Sequence, residues 1–444
     1  MNRNDRSIVA LVMLAHGMVH TYELSIPIFV SIWLTEFDVV NLGLTQLEVT
    51  AATLGLVVTA GYGLFGLGAL PGGVLVDRIG SRRLISVCLF GMAGSFVLLG
   101  LSPNLLVVTL ALLCWGAAAS VYHPAGLALI SKGVDERGTG FAYHGIAGNV
   151  GIGLGPLLTA VLLMFLDWTT VAMLLALPAL GAAAYALRAR FDETAAVDAG
   201  SGGSSKADAG VDSFAEFVSE SKRLVAGGFV VVFLVVMSSG LYYRGVLTFL
   251  PDLLSEIDQF AAVPLATLLP AGVSDLLGVE AGSGRTLQPE RYFYSGLLMV
   301  GVLGQYAGGK LTDRVPLEWG LVGAFSGLAV LAVLFLPVVN AGLVPLLAFG
   351  AVLGFSLFVI QPFYQATVAE YTPAGTRGLS YGFTYLGVFG VGALGGALAG
   401  AILTYATPAV LFTTLAGIAV AGALFGLYLA RKRESPSAAE VASD

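Results

Sequence analysis

Gly73-Val74-Leu75-Val76-Asp77-Arg78 closes one apolar run, and Gly309-Lys310-Leu311-Thr312-Asp313-Arg314 closes another, 236 residues later. The echo continues at similar separations. His123-Pro124 is matched by Gln361-Pro362 at 238, Tyr143 by Tyr381 at 238, and Arg137-Gly138 by Arg377-Gly378 at 240. A shared period of this length makes the chain two copies of one half. Parallel repeats of six spans point to a pair of bundles that rock about a cavity at their interface.

Composition places those halves in lipid. Of 444 residues, 57% are hydrophobic and 11% are charged, against about 25% charged in ordinary globular chains. The mean hydropathy is +0.88. So few charges cannot coat a soluble protein of this length. With 21 basic and 28 acidic residues and no basic stripe, nucleic acid is not an expected partner. The 59 glycines suit closely packed membrane helices. Cys88 and Cys114 lie in apolar runs and read as buried free thiols, which excludes a disulfide framework.

A membrane helix needs about 20 apolar residues. Runs of that kind occupy 8–34, 49–76, 84–101, 104–130, 139–166, 169–188, 225–250, 292–312, 318–339, 342–369, 379–404 and 407–430. The first is too long and too polar for a cleaved signal peptide, since it holds His16, His20 and Glu23. Membrane strands would be shorter and alternating, and that pattern is absent. With both termini in the cytoplasm, 18 of the 21 Lys and Arg fall inside, Arg285 and Arg291 fall outside, and Arg244 lies within a span. The expected fold is therefore an all-α membrane protein, twelve transmembrane helices in two pseudo-symmetric six-helix bundles, residues 1–188 and 225–430. A cytoplasmic linker, 189–224, joins them, and 431–444 form a cytoplasmic tail. The linker carries Gly200-Ser201-Gly202-Gly203-Ser204-Ser205, a flexible composition. Its end, with Phe214, Phe217, Val218 and Leu224 on one helical face, reads as a helix lying on the membrane surface. The outer segment 251–290 reads as a cap or loop with short helices.

These residues resemble the major facilitator superfamily along nearly the whole chain. The family motif Gly-x-x-x-Asp-Arg-x-Gly-x-Arg is matched by Gly73, Asp77, Arg78, Gly80 and Arg82, with Ser81 where a basic residue is usual. The second copy keeps Gly309, Asp313 and Arg314 and loses its end at Pro316-Leu317. The resemblance implies a loop that clasps neighbouring helix ends and stabilises the outward-facing state; topogenic charge alone is the alternative. Gly148, Gly151, Gly155 and Pro156 resemble the core of a motif of the antiporter branches, although Thr159-Ala160 replaces its following glycine pair. They imply a gating hinge, or else simple close packing. The stretches His16-Gly17 through Tyr22, Tyr122-His123-Pro124-Ala125-Gly126 and His144-Gly145 through Pro156 are similar to the fosmidomycin-resistance branch, whose members export antibiotics.

Ionisable residues inside spans are costly, so function is the default reading of each. All four histidines lie in the first half. His16, His20 and Glu23, at i, i+4 and i+7, share one helical face. That face can couple protons, hold a polar contact between helices, or bind zinc; proton coupling leads, and no metal or cofactor is expected. His123 and His144 flank the short loop 131–138 at similar depth, where they could meet at the inner mouth, or His144 could pack against a neighbouring helix. Aligning Gly17 with Gly240 sets Arg244 near the depth of Glu23 on the facing half. The two either pair, or Arg244 takes an anionic substrate while Glu23 carries the proton. Tyr242, Tyr243, Gln361, Tyr364, Gln365, Tyr381 and Tyr385 complete the candidate pocket.

The sequence thus predicts a monomeric secondary transporter of the plasma membrane that exports a small organic compound in exchange for protons. The rival is a symporter for an organic anion anchored on Arg244. No P-loop occurs, so ATP is not the driver. An intramembrane enzyme would have no use for the two-half repeat, and a channel would need a continuous polar stripe.

Overall fold

Backbone amides and carbonyls in hydrocarbon must find partners within their own segment, which leaves helices as the answer to twelve apolar runs. The computed structural model of the chain describes residues 1–41, 43, 45–198, 219, 221–224, 229–270, 272–274, 279, 284–372 and 377–434. Its spans are Arg3–Glu36, Ala51–Val76, Ser81–Gly100, Leu105–Gly133, Arg137–Leu162, Trp168–Arg188, Val230–Ser255, Pro289–Leu311, Leu317–Val339, Leu343–Glu370, Leu379–Tyr405 and Pro408–Glu434. Among the described residues, eleven are long and apolar enough to cross a membrane. The eighth, Pro289–Leu311, has 23 residues, and Glu290, Arg291, Gln305 and Lys310 lower its hydropathy. It packs between the fifth and tenth spans and completes the twelve.

Packing follows the repeat. The first span packs on the fifth, the second on the fourth and the third on the sixth; six spans on, the seventh packs on the eleventh, the eighth on the tenth and the ninth on the twelfth. The halves meet where the second span lies on the eleventh and the fifth on the eighth. Backbones come very close at these crossings: a Cβ on Gly55 would fall 2.8 Å from the carbonyl oxygen of Gly396, and one on Gly400 2.1 Å from that of Ala51. Only a residue without a side chain fits there.

Several spans are interrupted. The second breaks at Gly68 and the fourth at Val121. The two breaks adjoin, since a Cβ on Gly68 would fall 2.2 Å from Ser120 Oγ. The eleventh widens into a π-helix over Leu386–Val391, beside Gly66 of the second span.

The end of the bundle away from the termini holds two small antiparallel strand pairs that the sequence did not announce. Val39–Asn41 pairs with Gln46–Glu48, and Val263–Pro264 with Thr286–Leu287. The second belongs to the 251–290 cap, whose short helical pieces Leu250–Ser255, Asp258–Phe260 and Leu265–Thr267 match expectation. At the same end Asp167 caps the sixth span. It accepts hydrogen bonds from the Thr169 hydroxyl and from the Thr170 amide (2.9 Å) and hydroxyl (2.8 Å), which hold its carboxyl down at about 2.

One expectation changes. Cys88 is buried, but Cys114 is exposed on the outward face of the fourth span, where lipid rather than protein covers a small apolar side chain. The linker stretch 200–205 and the surface helix expected from Phe214, Phe217 and Val218 lie outside the described residues, as does the tail beyond 434.

Candidate functional site: a buried histidine cluster beside an ion pair between halves

The first span sets the site. Spacing of four and three residues puts His16, His20 and Glu23 on one face, and that face is buried. His16 Nδ1 lies 2.7 Å from the carbonyl oxygen of His144. A carbonyl only accepts, so this nitrogen carries a proton and His16 Nε2 keeps a lone pair if the ring is neutral. His20 Nδ1 lies 2.6 Å from Glu23 Oε2 and donates to it. The two Nε2 atoms face each other at 3.0 Å.

The other two histidines join this face. The ring of His144 stacks on His16 at 3.7 Å, and His123 stands edge-on to His16 at 5.3 Å and to His20 at 5.7 Å. Both are buried, so they meet the first span in the interior rather than each other at a mouth. Gly148 makes room for this: a Cβ there would fall 2.5 Å from His16 Cε1.

Glu23 also forms an ion pair with Arg244 of the seventh span, and this pair joins the halves. Both groups are almost wholly buried, at 2% and 1% exposure, so each charge depends on the other. The Arg244 guanidinium lies 3.7 Å from the ring centre of Tyr62, with Tyr243 at 5.5 Å and Phe389 at 5.9 Å. Tyr62 donates its hydroxyl to the Glu23 carbonyl oxygen. Three buried polar atoms have no partner among the described residues and belong to groups in or beside this cluster: His144 Nε2, Arg244 Nε and Tyr294 Oη.

The remaining pocket candidates divide. Tyr364 is buried, within electrostatic reach of Glu23 and Tyr243, and Gln361 is half-buried one turn earlier. The ring of Tyr385 lies tilted against His123, with centroids 4.8 Å apart. Tyr242 points away and donates to the Leu328 carbonyl of the ninth span. Gln365 and Tyr381 are exposed.

The model of the Major Facilitator Superfamily matches residues 9–279 and 291–443. The chain belongs to that superfamily. Among curated proteins, a 115-residue stretch is 34% identical to the puromycin resistance protein pur8 of Streptomyces alboniger, covering 25% of this chain and 23% of that protein. A 137-residue stretch is 25% identical to a probable L-galactonate transporter of Escherichia coli strain K12, covering 30% of each. The chain thus spans less than a third of the length of these relatives. Solved structures share the fold over nearly their whole length. A bacterial homologue of the human lysosomal transporter Spinster, in an inward-facing and occupied conformation, has a TM-score of 0.65 at 12% identity over 97% of this chain and 98% of that one. The nucleoside transporter NupG gives 0.67 at 13%, over 96% and 99%. The peptide transporter POT in complex with sulfate gives 0.67 at 15%, over 96% and 94%.

The superfamily loop motif sits at the end of the bundle that carries the termini. Arg82 donates from Nε to the Ala186 carbonyl and from Nη2 to that of Leu187, each at 2.7 Å. It thereby satisfies the last turn of the sixth span. Gly80 has φ +88°, a left-handed conformation that favours glycine. Gly73 has open space where a Cβ would go, and Arg78 is exposed. The side chain of Asp77 lies outside the described residues. A carboxylate the sequence did not single out, Glu193, accepts from the Ser81 amide at 2.9 Å and the Arg82 amide at 3.3 Å, at the N-terminus of the third span. In the second copy, Gly309 again faces open space, and Asp313 and Arg314 are exposed.

The glycines of the fifth span lie against the first. A Cβ on Gly151 would fall 2.2 Å from the Gly17 carbonyl oxygen, and one on Gly155 2.6 Å from Thr21 Cα. The fifth span runs unbroken through Pro156. This arrangement is close packing. Sequence reasoning also missed Tyr62, Tyr294 and Phe389 as site residues. An aromatic in an apolar run carries no mark of the cation it will cover, because only the fold brings the second and eighth spans to Arg244.

Proposed function

We propose that this superfamily member exports a small organic compound in exchange for protons, by alternating access of the bundles 1–188 and 225–430 around the Glu23–Arg244 pair. It lies in the plasma membrane as a monomer with both termini in the cytoplasm, the orientation supported by the distribution of Lys and Arg. The ion pair carries the reading. Among the described residues it is the buried ion pair between the halves, so its state bears on whether they can separate at this depth. A proton on Glu23 cancels its attraction for Arg244. Arg244 then needs another partner, and its free Nε together with Tyr294 Oη offers donors to a cargo among Tyr62, Tyr243 and Tyr364. His20, bonded to Glu23, positions the carboxylate and stands on the proton's path.

Export is supported by the stretch shared with a puromycin resistance protein and by the resemblance to the fosmidomycin-resistance branch. Uptake of an organic anion on Arg244 is the second reading, favoured by that unpartnered Nε and by the stretch similar to a probable L-galactonate transporter. Reconstituted vesicles with an imposed pH gradient separate the two. Glu23→Gln is expected to retain substrate exchange and lose uphill movement driven by the gradient. Undiminished proton-driven accumulation in that variant moves coupling elsewhere, first to His123 or His144.

A further inference from the structure

We infer that His16, His20 and His123 form a site for one divalent transition-metal ion of the zinc class, built wholly within the first bundle. Their ligand nitrogens all lie within 4.8 Å of one another, and all three residues are buried. The sequence suggested at most a His16, His20 and Glu23 set. The structure commits Glu23 to Arg244 and His20 Nδ1, and brings in the imidazole of His123 instead.

The hydrogen bonds assign the ligand atoms. The Nδ1 of His16 is engaged by the His144 carbonyl, and the Nδ1 of His20 by Glu23. In the neutral rings the two Nε2 lone pairs then face one another at 3.0 Å, and a proton on either closes a hydrogen bond. Two lone pairs at that separation repel unless a cation lies between them. A shared proton requires two nitrogens; a third imidazole nitrogen within 4.8 Å of both favours a metal, with His123 closing by up to about 1.5 Å to reach ligand spacing. Zinc–nitrogen bonds of about 2.0–2.1 Å in tetrahedral geometry place ligand nitrogens about 3.3 Å apart, so the pair must open by a few tenths of an ångström. The groups behind the rings fit as well. A metal-bound histidine characteristically donates its other N–H to a carboxylate or a backbone carbonyl, and Glu23 and His144 supply one of each. An all-imidazole set suits zinc, nickel or copper and disfavours magnesium or calcium. Three protein ligands leave a fourth position for water or a donor atom of the cargo.

The test uses the full chain, purified without a histidine tag, stripped with chelator and titrated with Co2+ in detergent. One Co2+ per chain is expected, with the visible absorption of a tetrahedral site and displacement by Zn2+. His123→Gln should abolish the tetrahedral spectrum. Glu23→Gln should keep it and weaken affinity by about 10–100-fold, the usual cost of losing a group that holds a ligand. No saturable spectrum in the parental chain overturns the site, as does an unchanged spectrum in His123→Gln. Should a variant not fold, X-ray absorption of the Zn2+-loaded parental chain decides: three imidazole nitrogens support the site, and fewer overturn it. None of these measurements reads transport, so their failure leaves the exporter reading standing, and failure of proton-driven export leaves the metal site standing.

Discussion

Gly148 shows how one missing side chain sets the histidine cluster. A Cβ there would lie 2.5 Å from His16 Cε1 and 2.8 Å from Nδ1, while Gly145, three residues earlier, faces open space. Gly148→Ala should therefore cost about 1–3 kcal/mol through overpacking. Gly145→Ala should be neutral or slightly stabilising, since alanine is the better helix former by about 1 kcal/mol. Thermal unfolding of the two variants in detergent checks the difference, and equal midpoints would refute it. The sequence showed a small-residue face on the fifth span and left hinge and packing open. Which neighbour occupied that face was not legible, because a glycine spacing names no partner.

The eleventh span is joined to the second by a hydroxyl. Thr59 Oγ1 donates to the Ala393 carbonyl at 2.8 Å and accepts from the Ala397 amide at 3.0 Å. Those two groups are an i, i+4 pair that would close on each other in an unbroken helix. The insertion follows directly after the π-helix, a usual setting for such an interruption. Two turns nearer the end opposite the termini, the Ala52 amide donates a hydrogen bond to Thr404 Oγ1 at 2.8 Å. Together they seal the bundle at that end. In Thr59→Val the pair can close on itself and the seal should loosen, whereas Thr59→Ser should keep it. The check is the rate at which an impermeant maleimide labels Ala52→Cys from that side, with Cys88 and Cys114 replaced beforehand. Equal rates in all three backgrounds would remove Thr59 from the seal.

Across the whole molecule the repeat keeps the architecture and reverses its charge. In the first half, Arg82 starts the third span and Glu193 follows the sixth. Glu318 starts the ninth span 236 residues after Arg82, and Arg433 ends the twelfth 240 residues after Glu193. Arg433 Nη1 lies 3.1 Å from Glu318 Oε2 and 3.2 Å from Glu370 Oε1, and the Tyr371 hydroxyl donates to Glu318 at 2.9 Å. Glu318 is buried at 1% exposure, so losing its cation should be costly, while Glu370 stands at the exposed rim. Arg433→Ala should destabilise the chain more than Glu370→Ala. The reversal Glu318→Arg with Arg433→Glu should recover part of the loss of each single change, with a coupling of about 0.5–3 kcal/mol. Additive losses in denaturation midpoints would mean the contact is screened.

Twelve spans and the two-half repeat were determined by the sequence alone, because lipid penalises every unsatisfied backbone group and the helix length follows from the thickness of the bilayer. The same penalty marked the four histidines, Glu23 and Arg244 as residues needing a reason, and the repeat placed Glu23 and Arg244 at one depth. Only the tertiary structure decided that these two pair, that His144 offers its carbonyl to His16 as well as its ring, and that Tyr62 lies under the guanidinium. It also showed Glu193 and Arg82 as ties of the loop. The reason is physical: periodicity gives the direction in which a side chain leaves its own helix, whereas the partner it meets depends on how closely neighbouring helices approach and at what rotation, quantities set by all twelve spans together.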